Sequence, residues 1–253
     1  MKINDLVTYE ARYKNIVFRI INIEKEIATI RGEVIRLICD VPISELTPIV
    51  ATEKEISLPT IRSIGLLRSE VIKGRVLHID GDEYYLKKAI EAYKQYGIPA
   101  IGYYIKENEM PSKLMGLLKK HQPDILVITG HDAYEGDSLN IGNINNYRNS
   151  KYFAECITIA REYQPNKDNL VIIAGACQSY YEFLIKHGAN FASSPERTNI
   201  HLLDPVIVAS QISTTYVNEF AVVDRVLENT ISHGIGGIDT RGSMRRIYKG
   251  RIT

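Results

Sequence analysis

The chain has 253 residues, of which 45% are hydrophobic, and its formal net charge is +1. This balance excludes a chain that binds nucleic acid through overall positive charge, and no apolar stretch approaches the roughly 20 residues that a membrane span needs. The three cysteines, Cys39, Cys156 and Cys177, are too few and too scattered for a disulfide framework or a CxxC metal site. We therefore expect a cytoplasmic protein that needs no metal and no organic cofactor.

Residues 1–50 differ in pattern from the rest of the chain. They contain short β-branched runs separated by turn-like residues, and the predicted strands are 17–23, 27–31 and 34–39. This pattern predicts a small antiparallel β-barrel of the SH3-like kind, closed by Pro42 and Pro48. Residues 51–72 are mixed and charged, which indicates a linker.

Strand-like and helix-like segments alternate through residues 73–253. The predicted strands are 75–79, 100–105, 125–129, 171–174 and 190–193. The predicted helices are 83–96, 112–121, one capped by Ser150, 179–187, one that begins at Asp204, and 219–232. Such alternation predicts an α/β domain in which a mostly parallel sheet carries helices on both faces.

Two of the predicted buried strands run into a reactive side chain. The segments DILVITGH and LVIIAGAC end at His131 and Cys177. Because the carboxyl ends of adjacent parallel strands meet at one edge of a sheet, an imidazole and a thiol should lie together there. This pair is the minimum for cysteine nucleophilic catalysis, with His131 as general base and then general acid. The alternatives are a buried, inert thiol and a capping histidine in a loop.

Cys177 lies where the fourth predicted strand of the α/β domain gives way to a helix. We expect it in the first turn of that helix, where unpaired N–H groups and a partial positive charge lower the pKa of a thiol. The same N–H groups can hold an oxyanion. A thiolate nucleophile at Cys177 is therefore the function that the sequence favours.

The histidine precedes the cysteine in the chain. Papain-like enzymes and class I glutaminases have the opposite order, whereas caspase-type enzymes have the histidine first and the cysteine about 50 residues later. The chain therefore resembles the caspase–clostripain–legumain clan, which implies a caspase-like, flavodoxin-like sheet. It departs from the clan at Gly175, where Gln or Glu is common, and at Asp132, which replaces a glycine of the oxyanion hole. The resemblance implies an oxyanion hole made by the backbone N–H groups of Asp132 and Cys177.

Four longer blocks of sequence are specific enough to compare with one family. They are HIDGDEYYL at 78–86, ILVITGHDAY at 125–134, AGACQS at 174–179 and GANFASSPERTNIHLLDP at 188–205. These blocks resemble the YabG family of sporulation-specific cysteine proteases. The resemblance implies an endopeptidase of the mother-cell compartment, associated with the forming spore coat, that trims spore coat and cortex-associated proteins. It also implies cleavage after arginine, with His131 and Cys177 as the catalytic pair.

Cleavage after arginine requires a carboxylate in the specificity pocket, because a guanidinium pairs with a planar carboxylate through two hydrogen bonds. Asp80 and Asp82 follow the first strand of the α/β domain and are the leading candidates. An ordinary helix start explains these two residues equally well. Asp204 and Asp239 are lower-ranked alternatives.

Ser193 and Ser194 are candidate substrate-binding residues. Ser194 precedes Pro195, which biases its backbone towards an extended conformation suited to pairing with a substrate strand. The resemblance to legumain-type enzymes implies that this segment forms a wall of the specificity pocket. A plain surface turn is the alternative.

Two other functions stay open from the residues alone. One is another thiol amidohydrolase, such as an amidase or a glutaminase, and the other is a non-catalytic coat scaffold or adaptor that binds through its barrel. The expected partners are spore coat and cortex-associated protein substrates, with no nucleic acid and no membrane. Arg62 and Arg68 in the linker are candidate sites of self-cleavage, because many proteases of this clan mature by cutting themselves.

Overall fold

The computed structural model describes residues 1–49, 72–136, 140–216, 219–232 and 237–238. The chain divides into two compact units, Met1–Thr60 and Ile61–Thr253. The predicted linker at 51–72 lies outside the described residues, except for Ile72. No helix within the described ranges is long and apolar enough to cross a membrane.

The described part of the first unit forms a five-stranded antiparallel sheet. Its strands are β1 (Leu6–Tyr9), β2 (Tyr13–Glu24), β3 (Ile27–Gly32), β4 (Ile38–Pro42) and β5 (Thr47–Pro48). They lie in the order β4-β3-β2-β1-β5, so the last strand returns to pair with the first. One face buries a small core of Val7, Phe18, Ile20, Ala28, Ile30, Val41 and Leu46. The prediction of a small antiparallel β unit ahead of the α/β domain is confirmed.

One predicted strand of this unit is displaced along the chain. We expected it at 34–39, whereas β4 is Ile38–Pro42. Glu33, which follows β3, is 2% exposed and accepts a hydrogen bond from Nε of Arg19 at 2.7 Å. The N–H of Gly32 donates to the carbonyl of Leu37 at 2.8 Å, so residues 33–37 form the turn between β3 and β4 and the next strand begins later.

The described part of the second unit alternates strands and helices as predicted. Its strands are β6 (Val76–Asp80), β7 (Ala100–Tyr104), β8 (Ile125–Thr129), β9 (Val171–Ala174), β10 (Phe191–Ala192) and β11 (Gly237–Ile238). Its helices are α1 (Glu83–Gln95), α2 (Met110–His121), α3 (Ser150–Tyr163), α4 (Tyr181–His187), α5 (Asp204–Thr214) and α6 (Val223–Glu228). Short 3-10 turns lie at Glu107–Glu109 and Ile144–Asn146.

These six strands form a sheet in the order β7-β6-β8-β9-β10-β11. Strands β6 to β10 are parallel, and β11 runs antiparallel beside β10. Strands β7 and β8 lie on opposite sides of β6, so the connections after β6 and β7 run in opposite directions across the sheet. Such a change of direction leaves a crevice at the carboxyl ends of β6 and β8. The predicted α/β fold is confirmed, and its strand order is that of flavodoxin-like sheets.

Helices cover both faces of this sheet. On one face α2, α3 and α4 pack side by side, and on the other α1 packs against α5. The first face buries a large apolar core that includes Leu77, Ile79, Leu114, Leu118, Phe153, Ile157 and Ile172. Helix α5 is buried from Asp204 to Ser213, and its apolar residues include Val206, Ile207, Val208 and Ile212.

Several helix boundaries differ from those expected from the sequence, and α2, for example, begins at Met110 instead of residue 112. Helix α4 begins at Tyr181 instead of residue 179, and α6 covers only Val223–Glu228 of the predicted 219–232. Asn149 occupies the N-cap position of α3, so Ser150 is the first helical residue and not the cap. The hydroxyl of Ser150 binds the carboxylate of Asp132 instead.

Candidate active site

His131 and Cys177 follow neighbouring parallel strands. Each comes within three residues of the end of its strand, His131 after β8 and Cys177 after β9. In the register of these strands Ile128 lies opposite Ala174. Both residues therefore lie at the carboxyl edge of the sheet, the edge that the sequence pattern predicted.

Cys177 lies in a tight turn, so the prediction that it belongs to the first turn of a helix is wrong. Gly175 and Gln178 on either side of it have φ angles of 106° and 63°. These left-handed conformations turn the chain sharply instead of leading directly into a helix. Ser179 stabilises the turn, because its hydroxyl accepts the N–H of Ala176 at 2.9 Å. Helix α4 begins only after this turn.

The backbone of Ile200 lines the thiol. The N–H of Ile200 donates to Sγ of Cys177 at 3.3 Å, and the carbonyl oxygen of Ile200 lies 3.9 Å from the same sulfur. The N–H of Ile200 is a donor that a thiolate can accept, and its carbonyl oxygen is an acceptor for the S–H of a thiol. Cys177 is only 3% exposed. Sequence reasoning missed Ile200 because an apolar residue that acts through its main chain leaves no signal in a motif.

Ser193 and Ser194 lie behind the cysteine turn. The N–H of Ser193 donates to the carbonyl of Ala174 at 3.0 Å, and Ser194 accepts the N–H of Arg197 at 3.0 Å. A Cβ on Gly175 would lie 3.0 Å from the carbonyl oxygen of Ser193, which explains why no Gln or Glu fits there. At 1% and 2% exposure the two serines form a buried wall beside Cys177 and not an open extended edge.

His131 is held by contacts to its backbone and to its ring. Its N–H donates to Oε1 of Glu107 at 2.8 Å, and its carbonyl accepts from Nδ2 of Asn149 at 2.7 Å. Its Nε2 lies 3.7 Å from Oδ2 of Asp82, and its ring centroid lies 5.7 Å from that of Tyr85. Sequence reasoning missed Glu107 and Asn149. The available signal for Glu107 was its place just after β7, at the same edge of the sheet.

Asp80 and Asp82 have different surroundings. Asp80 is fully buried at the end of β6, and its carboxylate accepts from Oγ1 of Thr129 and from the N–H of Asp82, both at 2.9 Å. Asp82 is the N-cap of α1, where Oδ1 accepts the N–H of Tyr84 at 2.8 Å. The helix-start explanation therefore applies to Asp82, while its second oxygen faces His131. Asp80 has no exposed surface and stabilises the turn between β6 and α1 by accepting the N–H of Asp82.

A chain of buried polar groups extends from Asp80 into the sheet. Nε2 of His78 lies 2.7 Å from Oγ1 of Thr129, and Nδ1 of His78 lies 3.3 Å from the hydroxyl of Tyr93. Since the Thr129 hydroxyl donates to Asp80, it accepts from Nε2–H of His78, which assigns the tautomer of that ring. His78 thus supports the loop that carries Asp82.

The carboxylate of Asp132 joins the loop after β8, the start of α3 and the cysteine turn. It accepts from the N–H groups of Asn149 and Ala133 at 2.8 and 3.0 Å, from Oγ of Ser179 at 2.8 Å, and from the hydroxyl of Ser150. Burial raises the pKa of Asp132, and these hydrogen bonds oppose that effect because they stabilise the ionised form. Its negative charge is therefore compensated locally.

The remaining candidate side chains are buried or lie outside the described residues. Asp204 is fully buried, its Oδ1 accepts the N–H of Ile231 at 2.8 Å, and burial raises its pKa. Burial also lowers the pKa of His201 to about 4 and raises that of Cys156 in α3. Asp239 lies outside the described residues. In the part of the chain that the structure describes, no group of three or more His, Cys, Asp or Glu could hold a metal ion.

Comparison with known proteins adds the family to this geometry. A family model described as YabG peptidase U57 matches residues 68–249. The chain belongs to this peptidase family. It is 41% identical over 279 aligned positions to the sporulation-specific protease YabG of Bacillus subtilis (strain 168), and the match covers 96% of each chain. No solved structure matches it.

The resemblance inferred from the four sequence blocks is thereby confirmed. The chain is a protease, related over almost its whole length to a protease that is specific to sporulation. The family match includes both strand ends described above, with His131 and Cys177.

We predict that Asp132→Ala lowers the free energy of unfolding by about 2–4 kcal/mol, because two buried hydroxyls and two N–H groups lose their acceptor. Urea unfolding of the purified protein measures this change. Glu135→Ala is the matched control, since this exposed carboxylate pairs with Arg148 at the surface, and its removal should cost at most about 0.5 kcal/mol. Equal losses in the two variants would contradict the linking role of Asp132.

Proposed function

We propose that the chain is a sporulation-specific cysteine endopeptidase that cleaves after arginine in spore coat and cortex-associated proteins. The observation that carries this proposal is the placement of His131 and Cys177 at the ends of two adjacent parallel strands, in a chain of a peptidase family. The mother-cell cytoplasm, beside the forming coat, is the proposed place of action. The mechanism requires no metal and no organic cofactor.

In the proposed mechanism Cys177 is the nucleophile. Its sulfur attacks the carbonyl carbon of the scissile peptide bond, and the N–H of Ile200 stabilises the thiolate that makes this attack possible. The backbone N–H groups of Cys177 and Asp132 are the proposed donors to the oxyanion. The hydrogen bond from Ser179 to Asp132 links the turns that carry these two N–H groups, which supports a fixed spacing between them.

His131 is the proposed acid and base. It takes the proton of the Cys177 thiol as the sulfur attacks and gives this proton to the leaving amine, which leaves a thioester between the substrate's acyl group and Cys177. It then takes a proton from the water that hydrolyses this thioester and frees the sulfur. Asp82 lies beside this imidazole, with its Oδ2 3.7 Å from Nε2 of His131.

Asp82 is also the better supported of the two candidates for reading arginine. The carboxylate of Asp80 is fully buried and occupied by Thr129 and the backbone of Asp82, so a guanidinium would have to displace internal hydrogen bonds to reach it. Asp82 uses Oδ1 to cap α1 and directs Oδ2 to the histidine side of the site. Ser193 and Ser194 are proposed to shape the pocket wall from behind Cys177.

The decisive experiment is hydrolysis of matched fluorogenic peptides that end in Arg, Lys, Asp or Gln by wild type, Cys177→Ala and His131→Ala. We expect turnover selective for arginine, reduced by at least about 1,000-fold in both variants, because nucleophile and base act as a unit. Turnover that survives in Cys177→Ala would contradict the cysteine mechanism. Hydrolysis of small amides but not of peptides would favour an amidohydrolase. If no substrate is hydrolysed and Cys177 is alkylated no faster than free cysteine, a coat scaffold would be favoured.

The variant Asp82→Asn tests arginine recognition separately from folding. Asparagine caps a helix as well as aspartate does, so stability should change little. Loss of a charge-assisted contact should lower kcat/KM for the arginine peptide about 10- to 100-fold, mostly through KM. If Asp82 only orients His131, kcat would fall equally for every peptide that the enzyme cleaves.

Self-cleavage after Arg62 and Arg68 is a further part of the proposal, and both arginines lie outside the described residues. Intact mass spectrometry after long incubation should show fragments that end at these arginines in wild type. The Cys177→Ala protein should stay whole, because it lacks the nucleophile. Identical spectra for the two proteins would remove self-cleavage from the proposal.

A further inference from the structure

The carboxylate of Glu107 lies in a cradle formed by two glycines. Glu107 belongs to the 3-10 turn that follows β7 and is partly buried. A Cβ added to Gly81 or to Gly130 would overlap Oε1 of Glu107. Neither glycine has a left-handed φ angle, so the space taken by the carboxylate, and not the backbone conformation, accounts for glycine at both positions.

This cradle lies at the crevice where the connections of the sheet diverge. Gly81 follows β6 and Gly130 follows β8, the two strands on either side of the crevice. Glu107 reaches there from the loop after β7, and its Oε1 accepts the N–H of His131 at 2.8 Å. A single carboxylate thus joins the loops that follow three neighbouring strands.

The contacts of Glu107 and Asn149 hold both peptide groups of His131. The N–H on one side of its Cα donates to Glu107, and the carbonyl on the other side accepts from Nδ2 of Asn149 at 2.7 Å. Because one bond restrains φ and the other restrains ψ, the imidazole has only its own side-chain torsions left to adjust. A hydrogen bond to a carboxylate is also stronger than one to a neutral acceptor.

We propose that Glu107 is a positioning residue that fixes the backbone of His131 so that its imidazole meets the leaving amine. This role rests on the proposed cysteine-protease function and adds a residue that acts through the histidine. Glu107 is distinct from Asp82, which lies beside the imidazole itself. Gly81 and Gly130 are part of this arrangement, because the Glu107 carboxylate can reach the N–H of His131 only if neither residue has a side chain.

Steady-state kinetics of the full chain with a peptide ending in arginine test this role. Glu107→Ala removes the acceptor, and Gly81→Ala displaces the carboxylate, since the tip of a glutamate moves more easily than the backbone. We expect each variant to lower kcat about 10- to 100-fold and to change KM less than about twofold, because a misplaced acid-base group impairs the transition state and not substrate binding. Glu107→Gln keeps an oxygen that accepts the same N–H and should restore most of the lost kcat.

A double variant separates this effect from general damage to the fold. Gly81→Ala introduced into Glu107→Ala should cause no further loss of kcat, because the carboxylate that it displaces is already gone. Glu109→Ala is the matched control, since this carboxylate in the same turn pairs with Lys113 and is about half exposed. Gly116→Ala in α2 controls for the added methyl group, because a Cβ there meets no atom within 4 Å.

The outcomes distinguish this inference from the function on which it rests. Three results would each overturn the positioning role while Cys177→Ala and His131→Ala stay inactive. They are an unchanged kcat in Glu107→Ala, additive losses of kcat in the double variant, and a change confined to KM. Turnover by Cys177→Ala would overturn the proposed function and the role of Glu107 with it. Loss of kcat in Glu107→Ala and Gly81→Ala, with rescue in Glu107→Gln, would support the role.

Discussion

The geometry of the site depends on one buried carboxylate. The backbone hydrogen bond from Gly175 to Ile128 continues the pairing of β8 and β9 by one residue. The loops that carry His131 and Cys177 lie beyond it and are joined through side chains. Asp132 supplies this link, because its carboxylate accepts from Ser150 at the start of α3 and from Ser179 in the cysteine turn. The hydroxyls of both serines also accept backbone N–H groups, Ser179 from Ala176 and Ser150 from Tyr180. The backbone on either side of Cys177 is therefore held as well.

This link accounts for the aspartate at position 132. A glycine offers only its N–H, whereas Asp132 also offers an acceptor for four donors. Burial of the charge is unfavourable, as the raised pKa indicates, and the donors offset much of that cost. The backbone of His131 is held by Glu107, and its ring lies beside Asp82, whose own N–H donates to Asp80 at the end of β6.

Local pattern predicted the sheet and the placement of His131 and Cys177 well, and the residues that contact them poorly. Buried strands leave short apolar runs, and His131 and Cys177 stand out because each directly follows such a run. Glu107 and Ile200 left no comparable signal, since an acid in a turn resembles any surface acid and an apolar residue that donates its N–H resembles any core residue. The start of α4 was misplaced because Ser179, a good capping residue by type, binds Asp132 and holds a turn instead.

The sequence by itself determined the alternation of strands and helices, the parallel sheet, the edge that holds the imidazole and the thiol, and the family resemblance. These follow from hydrophobic periodicity, chain order and contiguous motifs, all of which are local along the chain. Only the tertiary structure decided that Cys177 lies in a turn, that Asp80 is buried, and that Asp132 and Glu107 connect separate loops. Such contacts join residues far apart in sequence, and their partners are selected by distance and burial in the folded chain.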